Sequence, residues 1–401
     1  MGKAMGQPEN NPDMQFFASH KRWVRDRSKK EIAVLMSGGV DSSVAALLLR
    51  QAGWKVLGVT MKIPSYSSSS KTACCGPYAN LVCRGLDIPH YVIDVRKQFE
   101  SVVVDPFRRH YLAGLTPNPC LLCNTVLKFE LVWDLVEAEF GIEYLATGHY
   151  ARVEFQSGNA RLTRAGNLAR DQSYFLYGVP RKRLPHLLFP VGDLAKSKVR
   201  EIARGNDLLA SDKPDSMEIC FTGEGDYRKA IFNDNASLSD SPNGLPNCAP
   251  DGRPNNSPNG ARGGPIFDSQ GSKIGEHAGI FNYTIGQRRG LGVSVGRPLY
   301  VTKISRKNNS VTLGTYEEAT GHSVTAMNLN VLVPEKLVAE TVLYGKIRSS
   351  GEPAECRVLK TDNRTVVVDF AEPQFAPTPG QHLVLYDRSG YVIAGGQIVR
   401  E

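Results

Sequence analysis

The residues best placed to do chemistry fall in two groups. The first is the run SGGVDSS, which holds Ser37, Gly38, Gly39, Asp41, Ser42 and Ser43; the second is a set of three cysteines, Cys120, Cys123 and Cys220. Two adjacent glycines let a backbone come close to an anion. The loop N–H groups and the hydroxyls of Ser37, Ser42 and Ser43 then suit phosphate oxygens at the positive end of a helix. The run lacks the Lys of a GxxxxGK[ST] loop, so it is not a Walker A site. Cys120 and Cys123 form a CxxC, which on its own reads as a redox pair, half a zinc site, part of an iron–sulfur site, or chance. Zinc needs two more ligands, and no second CxxC occurs. Cys220 stands by itself in PDSMEICF and reads alone as a core thiol.

Several elements must position these groups. Glu31 to Gly53 reads as strand, tight loop and helix. Ile32 to Met36 is the apolar run of a buried parallel strand, Val44, Leu47 and Leu48 share a helix face, and Gly53 ends the helix. Lys55 to Ile63 is a second strand, with Met61 near its carboxyl end, where ligands sit in open α/β sheets. Thr72 to Leu86 reads as a helix carrying Cys74, Cys75 and Cys83, and His90 to Val95 as a third strand. In TPNPCLLCNTVLKF the two prolines impose an extended lead-in and Asn124 caps a helix running to about Gly141. Cys120 and Cys123 then lie just before a helix N-terminus, a position that favours thiolate. Tyr144 to Tyr150 is another strand, ending in Gly148, where a nucleotide can approach closely, and in His149, a phosphate or base contact or a structural histidine. After a hairpin come Arg170, Asp171 and Gln172, with Tyr174, Phe175 and Tyr177 behind them. Arg suits phosphate, and Asp and Gln suit base edges. Arg181 to Arg183 and a helix with Lys196, Lys198 and Arg200 read as solvated positive faces.

A chain of 401 residues suggests two or three domains. Lys plus Arg (48) exceed Asp plus Glu (40) by 8, which fits a polyanionic partner. No run approaches the ~20 apolar residues of a membrane span. Eight cysteines in such a chain do not resemble a secreted disulfide framework, so a reducing compartment is expected. Residues 1–30 read as a polar, basic tail. Residues 31–232 read as the α/β catalytic domain with a parallel sheet. Residues 233–264, rich in Asn, Pro, Gly and Ser, read as a disordered insertion. From Pro265 short alternating runs replace helices: a small β-rich module to 326, then a β-barrel over 327–401. Gln287, Arg288 and Arg289 suit backbone phosphate.

SGGVDSS, TPNPCLLCN with KF after it, ATGHYA, RDQSYFL, SMEICF and GEHAGIFNYTIGQRRGLGV occur in this order. Together they resemble the tRNA-specific 2-thiouridylases, a family of ATP pyrophosphatases, from about residue 31 to the C-terminus. The resemblance implies a pyrophosphate-loop α/β domain, a small central module and a C-terminal barrel that holds tRNA. It implies adenylation of O2 of the wobble uridine by ATP with Mg2+, then displacement of AMP by a persulfide sulfur. The ATP site it implies is Leu35, Met36, Ser37, Gly38, Gly39, Val40, Asp41 and Ser42, with Met61 and Gly148. Cys123 matches the nucleophile and Cys220 the persulfide carrier. Asn118, Pro119 and Cys120 match the target-base segment. His149, Arg170, Asp171, Gln172, Arg348, Ser349 and Gln381 match tRNA contacts. Ser349 departs from an aromatic common at its position, and Cys120 from an Asp credited with acid–base work. That second departure opens an alternative in which Cys120, Cys123 and Cys220 ligate a [4Fe–4S] cluster. The expected partners are tRNA and a persulfide donor or relay protein. The chain is expected to be a soluble monomer in a bacterial cytosol, mitochondrial matrix or plastid stroma. Two other readings are a different adenylating ligase with the same loop and a noncatalytic RNA-binding protein.

Overall fold

The computed structural model describes residues 14–19, 21–26, 28–64, 75–211, 219–221, 231 and 263–400. Cys74, Cys248, Ser65 to Lys71 and nearly all of the 233–264 insertion lie outside the described residues. The chain divides into two compact units. The first comprises Met1–Val103, Cys120–Glu224 and Ser389–Val392; the second comprises Val104–Pro119, Gly225–Arg388 and Ile393–Glu401. The stretch 104–119, read from sequence as part of the catalytic domain, therefore clusters with the second unit.

In the first unit the strands are β1 (Phe16–Ala18), β2 (Glu31–Leu35), β3 (Lys55–Lys62), β4 (His90–Asp94), β5 (Tyr144–Ala146), the hairpin β6 (Arg152–Gln156) and β7 (Asn159–Thr163), and β8 (Leu187–Leu188). Its helices before residue 104 are α1 (Val40–Gln51), α2 (Cys75–Gly85) and α3 (Arg96–Phe99). The sheet order is β1-β4-β3-β2-β5-β8, parallel from β4 to β8. The chain winds outward from β2 through β3 to β4, then returns to β2's other side as β5. Strands β2 and β5 thus flank a topological switch point, and the loops at their carboxyl ends border the crevice where such sheets bind ligands. The apolar run predicted for β2 is buried on both faces, with Ile32, Ala33 and Val34 at 0% exposure. Val44, Ala45 and Leu47 of α1 pack into the same core, and Gly53 takes the left-handed conformation (φ 83) after the helix.

Residues 1–30 are not solvated throughout. Phe16–Ala18 pairs antiparallel with β4, and the Trp23 N–H donates to the Tyr91 hydroxyl at 2.8 Å. Two adjacent phenylalanines and a tryptophan supply the apolar surface that a basic count conceals, and β1 covers an otherwise open sheet edge.

In the second unit α4 is Asp105–Leu112. Strands β9 (Gly264–Phe267), β10 (Lys273–His277), β11 (Tyr300–Ser305) and β12 (Ser310–Gly314) form a sheet in the order β10-β9-β12-β11. Strands β13 (Thr320–Val331), β14 (Val342–Lys346), β15 (Ala354–Thr361), β16 (Thr365–Phe375), β17 (His382–Tyr386) and β18 (Val392–Ile398) close a barrel. Ala326, where sequence placed the end of the central module, lies inside β13. No helix among the described residues is long and apolar enough to cross a membrane.

Candidate nucleotide and thiol site

The loop between β2 and α1 carries the site. Met36 extends β2 by donating its N–H to the Val59 carbonyl at 2.7 Å. Gly38 turns the chain with φ 70, a conformation that costs most other residues. Gly39 is the N-cap of α1 and supplies no side-chain cap, so the first-turn N–H groups face the loop. The Ser42 hydroxyl sits at the centre: it accepts from the Ser37 N–H at 3.3 Å, donates to the Gly39 carbonyl at 3.1 Å and lies 3.2 Å from the Ser37 hydroxyl. Ser43 departs from the sequence expectation. It is fully buried and spends its hydroxyl on the Gly39 carbonyl at 2.8 Å, so it holds the turn rather than a phosphate.

Gly148, after β5, meets this loop. A Cβ there would lie 2.5 Å from the Ser42 nitrogen and 2.6 Å from the Asp41 carbonyl carbon. The close approach that requires glycine is therefore to the backbone of α1. Asp41 receives both a Lys196 ammonium contact at 2.7 Å to each oxygen and a hydroxyl hydrogen bond from Tyr150 at 2.7 Å. Lys196 opens helix α7 (Lys196–Gly205) and its side chain is 11% exposed. Sequence pattern placed it on a solvated face, because a charge that turns inward to a distant carboxylate leaves no local mark.

The loop borders one cavity of about 280 Å³. Leu35, Met36, Ser37, Asp41 and Ser42 form one wall. Met61 from β3, with Thr147, Gly148 and His149 after β5, forms another. Cys123, Lys128, Gln172 and Cys220 also line it, with apolar Val59, Ile63 and Phe99 and with Thr60. Of the expected nucleotide residues, Gly38, Gly39 and Val40 shape the loop without lining the cavity.

Cys123 stands inside a helix, not before one. Helix α5 (Pro119–Leu122) runs into a π-helical stretch, Cys123–Val132, and then into α6 (Trp133–Phe140), closed by Gly141 at φ 64. Pro119 opens the helix because a fixed φ and a missing N–H suit its first turn. Asn124, expected as the cap, is buried: it donates to the Phe175 carbonyl at 3.0 Å and accepts from Lys128 at 2.8 Å. Burial pushes the Cys123 thiol up, while the Lys128 charge pulls it down. The thiolate expected from helix position is thus outweighed by burial.

His149 lies with its Nδ1 2.7 Å from the Thr147 hydroxyl. Burial, then the Lys128 charge, hold its imidazole well below the usual value, so it is neutral near pH 7. Gln172 lines the cavity and accepts from the Tyr150 N–H at 2.9 Å. Asp171 does not face outward. Its side chain is 1% exposed, and its oxygens accept from the N–H groups of Ala165 and Ser173, from the Ser173 hydroxyl and from Arg164. It organises the turn that presents exposed Arg170 and half-buried Gln172, and has no oxygen left for a base edge. In the second unit Gln381 donates to the Thr116 carbonyl at 3.0 Å, tying down the segment that leads to Asn118 and Pro119. Arg348 donates to the Phe375 carbonyl and lies over the Phe375 ring, and Ser349 is exposed.

Cys83, Cys120, Cys123, Cys220 and Cys356 are free thiols. Cys120 is exposed and does not line the cavity that Cys123 and Cys220 share. Among the described residues no three His, Cys, Asp or Glu side chains converge as metal ligands, so the three cysteines do not fit a cluster as they stand here.

Comparison with known sequences identifies the three parts. Residues 30–224 match the family described as tRNA methyl transferase HUP domain, 258–315 the tRNA methyl transferase PRC-barrel domain, and 321–399 the aminomethyltransferase beta-barrel domain. The chain is 38% identical over 383 residues to the tRNA-specific 2-thiouridylase MnmA of Acetivibrio thermocellus, covering 93% of this chain and 100% of that one. It is 40% identical to MnmA 1 of Syntrophus aciditrophicus, covering 93% of each. The chain belongs to the tRNA-specific 2-thiouridylase family. Relatives of that family in Clostridium botulinum show the same full-length match, 38% identity over 93% of this chain and 98% of theirs. Membership accounts for the order of α/β domain, central module and closed barrel seen here, and it places the SGGVDSS loop and Cys220 in the family's first domain.

Proposed function

We propose that the protein is an ATP-dependent tRNA-uridine 2-sulfurtransferase, acting on the wobble uridine. The observation that carries this reading is the shared cavity: two free thiols, Cys123 and Cys220, open onto the same space as the phosphate-type loop of Ser37, Asp41 and Ser42. A loop that cradles phosphates beside two sulfurs suits activation of an oxygen followed by its replacement with sulfur. The uracil C2 carbonyl is a poor electrophile, and oxide is a poor leaving group. Attack of O2 on the α-phosphate of ATP, with Mg2+ carried in on the nucleotide, forms the O–P bond and releases pyrophosphate. A sulfur nucleophile then adds at C2 and AMP leaves. Reaching both nucleotide and thiols requires the base to leave the stack.

In this reading Cys220 carries the persulfide and Cys123 acts on it. If the terminal sulfur of Cys220–S–S⁻ attacks C2, the Cys123 thiolate then cleaves the remaining S–S bond. That frees 2-thiouridine and leaves a Cys123–Cys220 disulfide for an external thiol to reduce. A persulfide donor or relay protein supplies the sulfur, and the barrel with Arg348 and Gln381 carries the tRNA. The words methyl transferase in the domain descriptions find no match in this chemistry, whereas the full-length relatives are named for thiolation.

The test is direct. Transcript tRNA, ATP, Mg2+ and a persulfide donor are incubated with the protein, and nucleosides are read by mass spectrometry. One 2-thiouridine per tRNA, with matching AMP and pyrophosphate, is expected. Intact nucleotide binding with no thiolated product would overturn the reading. AMP formation with a small amine acceptor would favour the ligase alternative.

A further inference from the structure

Lys128 was not singled out by spacing, and the helix geometry explains why. Five residues turn an α-helix by about 500°, leaving side chains roughly 140° apart. Cys123 and Lys128 would then sit on different faces. They do not, because the segment Cys123–Val132 is π-helical, and a π turn takes in roughly one residue more than an α turn. Residues five apart come into line, and both Cys123 and Lys128 open onto the cavity. The ammonium is held there by Asn124, four residues before it, at 2.8 Å. Asn124 is itself pinned by the Phe175 carbonyl. Among the described residues Lys128 makes no ion pair with a carboxylate. An ammonium has three donors, and the bond to Asn124 uses one.

A half-buried cation that has no carboxylate partner among the described residues, and that opens onto a space lined by two thiols, is suited to hold an anion. Among the described residues the other ionisable groups on that space are few. Asp41 at the start of α1 is already matched by Lys196, His149 is neutral, and Cys220 is the second thiol. Cys120 lies off the cavity on the same continuous helix; burial and then the neighbouring Cys123 push its thiol up, and the Lys128 charge pulls it down, so Lys128 serves both thiols.

We propose that Lys128 is the positioning residue for the Cys123 sulfur, its ammonium holding that sulfur as an anion when the S–H proton passes to solvent. The inference rests on the reading of Cys123 as a thiol that handles sulfur. It adds the π-helical turn as the device that makes a buried thiol ionisable.

The test follows alkylation of Cys123 by iodoacetamide from pH 7 to 11, read site by site from peptide fragment ions, in the wild type, Lys128→Gln and Lys128→Arg. Loss of the charge is expected to raise the ionisation midpoint of Cys123 by about one unit, so that its alkylation near pH 8 slows about tenfold. Lys128→Arg keeps the charge and is expected to keep most of the wild-type midpoint. Buried Cys83 is the internal control, since it stays unmodified while the domain is folded. If Lys128→Gln exposes Cys83, Lys128→Met, which keeps the apolar stem, replaces it. A midpoint unchanged in a folded charge-loss variant overturns the proposal, whatever happens to ATP affinity. The assay uses neither tRNA nor a sulfur donor, so its failure is distinct from failure of the thiolation reading.

Discussion

Lys196 and Asp41 are joined across 155 residues of sequence, with the ammonium 2.7 Å from both carboxylate oxygens. The pair fixes the first turn of α1 in the orientation that faces the cavity. Among the described residues Lys196→Met leaves Asp41 with the Tyr150 hydroxyl as its remaining side-chain partner. The expected cost is about 1–3 kcal/mol of stability. ATP-dependent pyrophosphate release is expected to fall at least about tenfold, because the loop loses its brace and the site a positive charge. Urea melts and a pyrophosphate assay on the same preparation read the two effects. Unchanged pyrophosphate release would remove Lys196 from the site.

The contact at Gly148 makes a sharper prediction. In Gly148→Ala the new methyl meets the Ser42 nitrogen and the Asp41 carbonyl carbon, both backbone atoms that cannot rotate away. The loop after β5 and the start of α1 must move apart. Nucleotide affinity is expected to drop about tenfold or more, with roughly 1–3 kcal/mol lost in stability. Titration calorimetry with a nonhydrolysable ATP analogue checks it, and wild-type affinity would show that the two loops are free to separate.

The two cysteines of the cavity separate the two half-reactions. Cys220→Ser keeps the shape of the wall and removes the sulfur carrier. Pyrophosphate release should stay within about threefold of wild type while 2-thiouridine disappears, because only the second step needs a thiol. Mass spectrometry of the tRNA beside a pyrophosphate assay gives both numbers. Loss of the first step as well would make Cys220 part of nucleotide binding.

How far the sequence reached is clear from particular residues. Strands β2 to β5 were legible because a parallel sheet buries both faces, and continuous apolar runs announce that burial. SGGVDSS was legible because glycines and hydroxyls mark a tight turn at a helix start. The cations that set up the site were not. Lys196 finds Asp41 through tertiary structure, and Lys128 opens onto the same cavity as Cys123 through a π turn that no propensity encodes. Asp171 was misread for a related reason. An Arg-Asp-Gln run offers three polar groups, and only the fold shows that the middle one turns inward to Arg164, Ala165 and Ser173. The segment Phe16–Ala18 was hidden by its basic neighbours, although its aromatics were the informative residues.

The barrel carries a pH dependence whose sign can be worked out. Burial, then the charge of His110, push the His382 imidazole down from 6.5 to about 4. His110 is itself lowered, first by burial and then by Arg109. Between these values the unfolded chain takes up a proton that the folded barrel refuses. Stability is therefore fully present above the unfolded value of 6.5 and is lost as pH falls toward about 4. By pH 5 the loss from His382 alone is about 2 kcal/mol. His382→Gln, which cannot be protonated, should flatten the change in urea midpoint between pH 7 and pH 5 without removing it, because His110, His149 and His277, all lowered chiefly by burial, still titrate. Carboxylates whose folded values are lowered, such as Glu317, Glu318 and Asp362, also lose stability on acidification, but mostly below pH 5, so the window from 7 to 5 isolates the histidines. An equally steep pH dependence in His382→Gln would assign the acid sensitivity to another group.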